Sequence, residues 1–294
     1  MGWLRDCRYY SVAPVAASIF TKSKKASMNL LHFTPRPVEK PWGRRDLPPP
    51  FGPLPADAPP VGEIHFVPPL PAPLPLLVKY LFTSDRLSIQ VHPDNAAARQ
   101  RGLPSGKDEA WYVVAAEPGA TIGLGLVRPI GKDELRARSI DGSIDELLDW
   151  RPVSAGDVLF APAGTIHAIG AGVSVIEVQQ NLDLTYRLFD YGSERELHLD
   201  DGIAVANTDL LAPAEPPKPL DEERLLLIDA PTFRLEKWCG PMTRACDGPA
   251  WLVPLSAGVS ANDASLPLGG VSLCEQSSIG LEPNATLLVA TAVA

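Results

Sequence analysis

Three short segments of the sequence carry side chains that could together hold one divalent metal ion. They are Leu87–Pro93 (LSIQVHP), Gly106–Val114 (GKDEAWYVV) and Gly156–His167 (GDVLFAPAGTIH). The candidate ligands in them are Gln90, His92, Glu109 and His167. An amide, a carboxylate and two imidazoles are donor groups that first-row divalent metals accept. The sequence therefore predicts a metal site built from separate strands.

The first segment has the spacing of a strand with one polar face. Successive side chains of a strand point to opposite sides, so Ser88, Gln90 and His92 share one face and aliphatic residues share the other. A buried amide or imidazole without a partner is costly, whereas a barrel interior that holds a metal and a polar ligand supplies partners. Glu109 begins a second predicted strand, and His167 belongs to a third. We expect all of these groups to face one polar interior.

The donor set favours Zn²⁺, one per chain. Ligand type alone leaves Fe²⁺, Co²⁺, Mn²⁺ and Ni²⁺ open. A single carboxylate leaves a divalent ion with net positive charge, which suits Lewis-acid work on a substrate oxygen. The competing interpretation is that His92 and His167 are hydrogen-bonded core histidines. The joint spacing of the four candidate ligands favours the metal site over that interpretation.

Four blocks of the sequence resemble the signatures of the class I phosphomannose isomerases, which are zinc-dependent cupins. Three of the blocks are the segments above, the first extended to Asp94 and the third to Gly170, and the fourth is Val175–Gly192 (VIEVQQNLDLTYRLFDYG). The resemblance is collinear from about Trp42 to Asn207. In that family the metal ligands are the Gln and His of the first block, the Glu of the second and the His of the third. They fall on the four candidate ligands.

The resemblance also implies roles for five further residues. Ser88, Lys79 and Lys107 would line the sugar phosphate pocket, while Glu177 and Arg187 would lie close to the reacting carbons. The implied reaction interconverts mannose 6-phosphate and fructose 6-phosphate by proton transfer between C1 and C2 through an enediol. It needs a cation near the substrate oxygens and a group that carries the proton. Arg187, Lys107 and Glu177 are all candidates for that group, and Arg187 is also expected to bind substrate.

Two other functions remain open at this point. A cupin sensor would bind a sugar phosphate without turning it over, and the presence of Arg187 and Lys107 disfavours it. A metal-dependent cupin oxygenase usually has His-x-His in the first block, where this chain has Gln90 in place of the first histidine. That substitution disfavours oxygen chemistry. The isomerase is therefore the favoured hypothesis.

The predicted fold is mainly β, with a cupin (jelly-roll) barrel, a small helical insertion and a second, degenerate β lobe. Residues 28–207 are expected to form the catalytic cupin domain and residues 208–294 the small C-terminal β lobe. The last histidine of the chain is His198, so the lobe cannot repeat the metal set. Residues 1–27 are interpreted as a disordered extension or a misassigned start ahead of Met28.

Local signals predict two helical stretches and one extended stretch. Asp94–Arg101 begins with a capping aspartate, and Asp133–Leu148 is amphipathic but broken at Gly142. Thr34–Pro75 is crowded with prolines, which predicts extended, polyproline-like chain without a central strand.

Composition limits the binding partners and the cellular compartment that the chain is expected to have. The chain has 294 residues and a formal net charge of −9, which argues against binding nucleic acid or an anionic membrane surface. No run reaches the roughly 18 apolar residues of a membrane span. The four cysteines lack CxxC spacing, as expected for reduced thiols in the cytoplasm. A small phosphosugar is thus the expected partner, and the oligomeric state is left open.

Overall fold

The computed structural model describes residues 29–69 and 73–293, so the predicted extension at residues 1–27 lies outside them. Within the described part, the strands that precede residue 208 are β1 (Leu30–His32), β2 (Thr34–Arg44), β3 (Val61–Val67), β4 (Leu76–Phe82), β5 (Ile89–Val91), β6 (Glu109–Ala116), β7 (Thr121–Leu126), β8 (Leu148–Pro152), β9 (Val158–Ala161), β10 (His167–Ile169), β11 (Val173–Gln180) and β12 (Tyr186–Phe189). The strands that follow are β13 (Lys218–Pro219), β14 (Arg224–Asp229), β15 (Phe233–Cys239), β16 (Met242–Cys246), β17 (Ala250–Pro254), β18 (Val259–Ala261), β19 (Ala264–Ser265), β20 (Ser272–Cys274), β21 (Ser277–Leu281) and β22 (Thr286–Ala292). The helices are α1 (Asn95–Gln100), α2 (Lys132–Asp141) and α3 (Leu199–Val205), with a 3₁₀ helix at Ser143–Leu147.

The described strands form four antiparallel sheets. Their strand orders are β12-β5-β10-β7-β8, β2-β3-β4-β11-β6-β9, β1-β20-β17-β22-β15-β14-β13 and β16-β21-β18-β19. The first two sheets face each other across a core that contains Trp111 and Val175 from the six-stranded sheet and Ile122 and Leu124 from the five-stranded sheet. Two antiparallel sheets in this arrangement form a jelly roll. The mainly β prediction is confirmed.

The six-stranded sheet is buried on both faces. Ile64, Tyr80 and Ile176 lie on its second face and pack in one cluster with Trp251 and Leu273 of the seven-stranded sheet. Strand β1 belongs to that seven-stranded sheet, because it pairs with β20. We call residues 208–293 the C-terminal lobe. The lobe and the jelly roll thus share a hydrophobic core, and the boundary at residue 208 stays a prediction.

Helix α1, and α2 with the 3₁₀ helix after it, lie in the two stretches where the sequence predicts helix, whereas α3 was not predicted. Asp94 caps α1 by accepting a hydrogen bond from the Ala97 backbone N–H at 2.7 Å. Gly142, with φ of 84°, ends α2 and separates it from the 3₁₀ helix, since a left-handed backbone favours glycine. Leu135 of α2 and Ile203 of α3 pack on the outer face of the five-stranded sheet. Among the described residues, no helix is long and apolar enough to cross a bilayer.

The prediction that the proline-rich stretch contains no central strand is wrong. Strand β3 lies between β2 and β4, so it is paired on both sides. Its sequence, VGEIHFV, contains no proline and can donate to both neighbours. The prolines of β2 are Pro35, Pro37 and Pro41, and β2 is the edge of its sheet, where missing backbone donors are tolerated.

Candidate metal centre

His92, Glu109 and His167 form a buried cluster between the two sheets of the jelly roll. Each offers a donor atom, and these atoms all lie within 4.8 Å of one another. The Oε2 atom of Glu109 is 3.3 Å from Nε2 of each histidine. Glu109 opens β6 of the six-stranded sheet, whereas His167 opens β10 of the five-stranded sheet and is paired with Gln90 of β5. Strands from both sheets therefore bring the predicted metal donors together.

Hydrogen bonds orient the imidazole of His167. Its Nδ1–H donates to the Thr165 carbonyl at 2.9 Å, which leaves the lone pair of Nε2 directed into the cluster. The Gln90 Nε2 atom lies 3.1 Å from this nitrogen. Metals bind amides through oxygen, so ligation by Gln90 requires its amide group to rotate by about 180°. That rotation exchanges the positions of the amide oxygen and the NH₂ group, which are nearly equal in size. In the structure the amide nitrogen of Gln90, not its oxygen, faces His167, and ligation by Gln90 stays a prediction.

The protonation of the cluster suits a cation. Burial, followed by the charge of Lys107, lowers the pKa of His92 to about 3, so this imidazole is neutral at pH 7. Burial acts to raise the pKa of Glu109, yet Lys107 and His92 outweigh it and hold that pKa well below its usual range. Metal ligands must be deprotonated in this way.

Several buried polar atoms of the cluster lack a regular hydrogen bond. His92 Nδ1 and both oxygens of Glu109 have no hydrogen bond of regular geometry, although Lys107 Nζ forms an ion pair with Glu109 Oε1 at 2.9 Å. Buried polar atoms without partners cost free energy. A divalent ion in the cluster would give the Glu109 carboxylate a partner, so the residues present fit such a metal.

A row of charged side chains continues from the cluster across the six-stranded sheet. Lys79 of β4 lies between Glu177 of β11, at 2.7 Å from its Oε2, and Glu63 of β3, at 3.8 Å. The second oxygen of Glu177 accepts a hydrogen bond from Trp111 Nε1 at 2.8 Å. Burial acts to lower the pKa of Lys79, but the two carboxylates outweigh it and raise that pKa. Lys79 is therefore a partly buried cation with two buried anionic partners.

The remaining predicted residues lie around the same interior. Ser88 and Lys107 are buried, and Ser88 Oγ is 3.4 Å from Gln90 Oε1. Arg187 of β12 pairs with Gln90 across the sheet, so both side chains emerge on one face, and its Nε donates to the Glu196 carbonyl at 3.2 Å. The roles given to these residues stay predictions.

The sequence analysis assigned no role to several residues that lie near the centre. Trp111 follows Glu109 by two positions, so the period of a strand could have placed both on one face. Glu63 carries no such signal, because its closeness to Lys79 depends on the pairing of β3 with β4. Asp108 and Thr232 lie 124 positions apart and form a hydrogen bond that local sequence does not indicate.

Loss of the Lys79 cation should destabilise the protein strongly. We expect Lys79→Met to lower the free energy of unfolding by roughly 3–5 kcal/mol, because Glu63 and Glu177 would stay buried without their partner. The matched control is Arg234→Met, which breaks an exposed pair with Asp229 and should cost less than about 1 kcal/mol. Urea unfolding of the three proteins gives both differences, and equal losses would contradict the prediction.

The same network should give an acid-sensitive contribution to stability. Burial acts to raise the pKa of Glu63, but His65 and Lys79 outweigh it and hold that pKa below its usual range. A carboxyl group whose pKa is lower in the folded than in the unfolded protein stabilises the fold at pH values above its unfolded pKa of about 4.3. This contribution is lost progressively as the pH falls below that value. Glu63→Gln should therefore destabilise the protein at pH 7 and less at pH 3. A difference that does not change between these two pH values would contradict the assignment.

The two facing sheets and the buried His–Glu–His cluster define a jelly-roll protein of cupin type with a potential metal centre. The sequence is similar to the mannose-6-phosphate isomerase of Streptococcus mutans, with 40% identity over 194 residues. That match covers 63% of this chain and 61% of the relative, so the chain spans about three fifths of the relative's length. No protein-family model matches the sequence.

The fold is that of solved phosphomannose isomerase structures. The crystal structure of mannose 6-phosphate isomerase from Bacillus subtilis superimposes with a TM-score of 0.77 at 24% identity, over 90% of this chain and 99% of that chain. A zinc-bound mannose 6-phosphate isomerase gives a TM-score of 0.65 at 13% identity, over 90% of this chain and 100% of that one. At these identities the likeness establishes the fold.

Proposed function

We propose that the chain is a metal-dependent aldose–ketose isomerase that interconverts mannose 6-phosphate and fructose 6-phosphate through an enediol. The buried cluster of His92, Glu109 and His167 carries the proposal, because its three donors meet inside the jelly roll. The name of the Streptococcus mutans relative supports the substrate. The cytoplasmic location and the lack of nucleic acid or membrane partners are predictions from composition.

The proposed cofactor is one Zn²⁺ per chain, held by Gln90, His92, Glu109 and His167. Its support is the fit of the donor set and the zinc-bound isomerase that shares the fold. When bound, zinc would supply positive charge beside the substrate oxygens. This charge favours the enediolate that arises when a carbon-bound proton is removed.

The charged side chains around the cluster would bind the phosphosugar and move the proton. Conversion of mannose 6-phosphate takes the proton from C2 and returns it to C1, while a hydroxyl proton passes from O2 to O1. Both oxygens of Glu177 already face donors, namely Trp111 and Lys79. We therefore assign Glu177 to holding Lys79 in place, and Lys107 and Arg187 stay the candidates for proton transfer. Ser88, Lys79, Lys107 and Arg187 are the proposed substrate contacts.

The substrate proposal is tested by incubating the purified chain with mannose 6-phosphate and measuring fructose 6-phosphate. Unphosphorylated mannose is the control, since the proposed pocket uses Lys79 and Lys107 for the phosphate and should leave the free sugar almost unconverted. Conversion of both sugars at equal rates would contradict the assignment of these lysines. Phosphosugar binding without any conversion would contradict the isomerase itself.

A further inference from the structure

Asp108 lies between two residues of the candidate centre, Lys107 and Glu109, and its carboxylate contacts two other parts of the chain. One oxygen accepts a hydrogen bond from the backbone N–H of Ala163 at 2.7 Å. The other accepts from the hydroxyl of Thr232 at 2.6 Å. Asp108 therefore joins the strand of Glu109 to the turn before His167 and to the C-terminal lobe.

The turn that Asp108 holds sets the orientation of His167. Within it, the Thr165 N–H donates to the Pro162 carbonyl at 3.0 Å, and the Gly164 N–H donates to the carbonyl of His92 at 2.8 Å. The Thr165 carbonyl in turn accepts from His167 Nδ1. The bond from Ala163 to Asp108 thus fixes the outer side of the same turn. A shift of this turn would move the Nε2 atom that faces Glu109.

Thr232 is itself held firmly by the C-terminal lobe. It precedes β15 in a hairpin closed by a hydrogen bond from the Ala230 N–H to the Phe233 carbonyl at 3.0 Å. Its own carbonyl accepts from the Val293 N–H at 2.9 Å. Phe233, the next residue, is fully buried in the core that the lobe shares with the six-stranded sheet. The hydroxyl therefore reaches Asp108 from a rigid support.

We propose that Asp108 is a positioning residue for the metal centre, and that the C-terminal lobe stabilises the metal-binding arrangement through the hydroxyl of Thr232. The inference rests on the metal site of the proposed function and does not depend on the sugar that is converted. Mutation of residues that orient the metal ligands without binding the metal themselves typically weakens metal affinity by about 10-fold to 100-fold. The C-terminal lobe, which contains no histidine, would thus support the metal site without supplying a ligand.

The test compares the zinc affinity of variants in competition with a chelator of known affinity. Asp108→Ala loses both hydrogen bonds and should weaken zinc binding by about tenfold or more, and Thr232→Val loses one and should weaken it by a smaller factor. Asp108→Asn should restore most of the affinity, because its oxygen accepts from Ala163 and its NH₂ donates to Thr232. The matched control is Thr291→Val, a half-buried threonine of β22 in the same sheet.

The outcomes separate this inference from the isomerase proposal. Weakened zinc binding in Asp108→Ala and Thr232→Val, with the Thr291→Val control unchanged, supports it even if no variant converts sugar. Equal zinc affinity in all four variants and the original chain would overturn it, as would an original chain that takes up no zinc. Melting temperatures without metal are measured alongside. A fall in those temperatures with unchanged zinc affinity would show a structural role only and would also overturn the inference.

Discussion

Replacing His92 or His167 with alanine is expected to abolish both metal binding and isomerase turnover. Each substitution removes a buried donor whose Nε2 lies 3.3 Å from the Glu109 carboxylate. Without the cation, the charge that develops on the substrate oxygens loses its main stabilisation, so turnover should fall at least about a thousandfold. Metal per chain and the rate of fructose 6-phosphate formation are the two measurements.

The control for these variants is His32→Ala. His32 is exposed and pairs with Ser272 of the C-terminal sheet, so its loss should leave metal content and turnover unchanged. The jelly roll of the two test variants should stay folded, because its core contains many other buried side chains. Wild-type activity in a His92→Ala or His167→Ala protein without metal would refute the assignment of the centre.

Replacing Arg187 with alanine is expected to leave metal content unchanged and to lower turnover by about 100-fold. Arg187 pairs with Gln90 across the sheet, so it lies beside the candidate centre, and its Nε donates a hydrogen bond to the Glu196 carbonyl. Its removal should therefore reduce contact with substrate or transfer of the proton without removing a ligand. Metal analysis and steady-state kinetics on one preparation separate the two effects.

The matched control for Arg187→Ala is Arg99→Ala, on the exposed side of α1. It loses the same charge at a distance from the proposed pocket and should keep normal turnover. A loss of zinc from Arg187→Ala would mean that the residue supports the metal centre instead. Normal turnover in that variant would remove Arg187 from the substrate pocket.

The sequence predicted the local features of the fold well. The capping Asp94 and the helix break at Gly142 depend on neighbouring residues, and both appear where expected. The candidate metal ligands could also be identified from the sequence, because His92, Glu109 and His167 lie in short segments with strand spacing. The structure brings those three side chains together. Patterns that act over a few residues are the ones that a single sequence reveals.

Features that depend on distant pairing were not predictable. A lone lysine is usually a solvated surface charge, yet the pairing of β4 with β3 and β11 places Lys79 between two buried carboxylates. The same applies to β3, a central strand in a proline-rich stretch that was predicted to contain none. Likewise, only the packing of the C-terminal lobe on the jelly roll brings Thr232 to Asp108. Each case depends on which strands become neighbours, and local spacing does not determine that.

The central claim is that one metal ion in the His92–Glu109–His167 cluster supports isomerisation. The most direct test is to strip the protein with a chelator, titrate Zn²⁺ back and follow fructose 6-phosphate formation from mannose 6-phosphate at each step. Activity should rise from near zero and level off at one zinc per chain. Full turnover in the stripped protein, or a zinc-loaded protein that forms no fructose 6-phosphate, would contradict the claim.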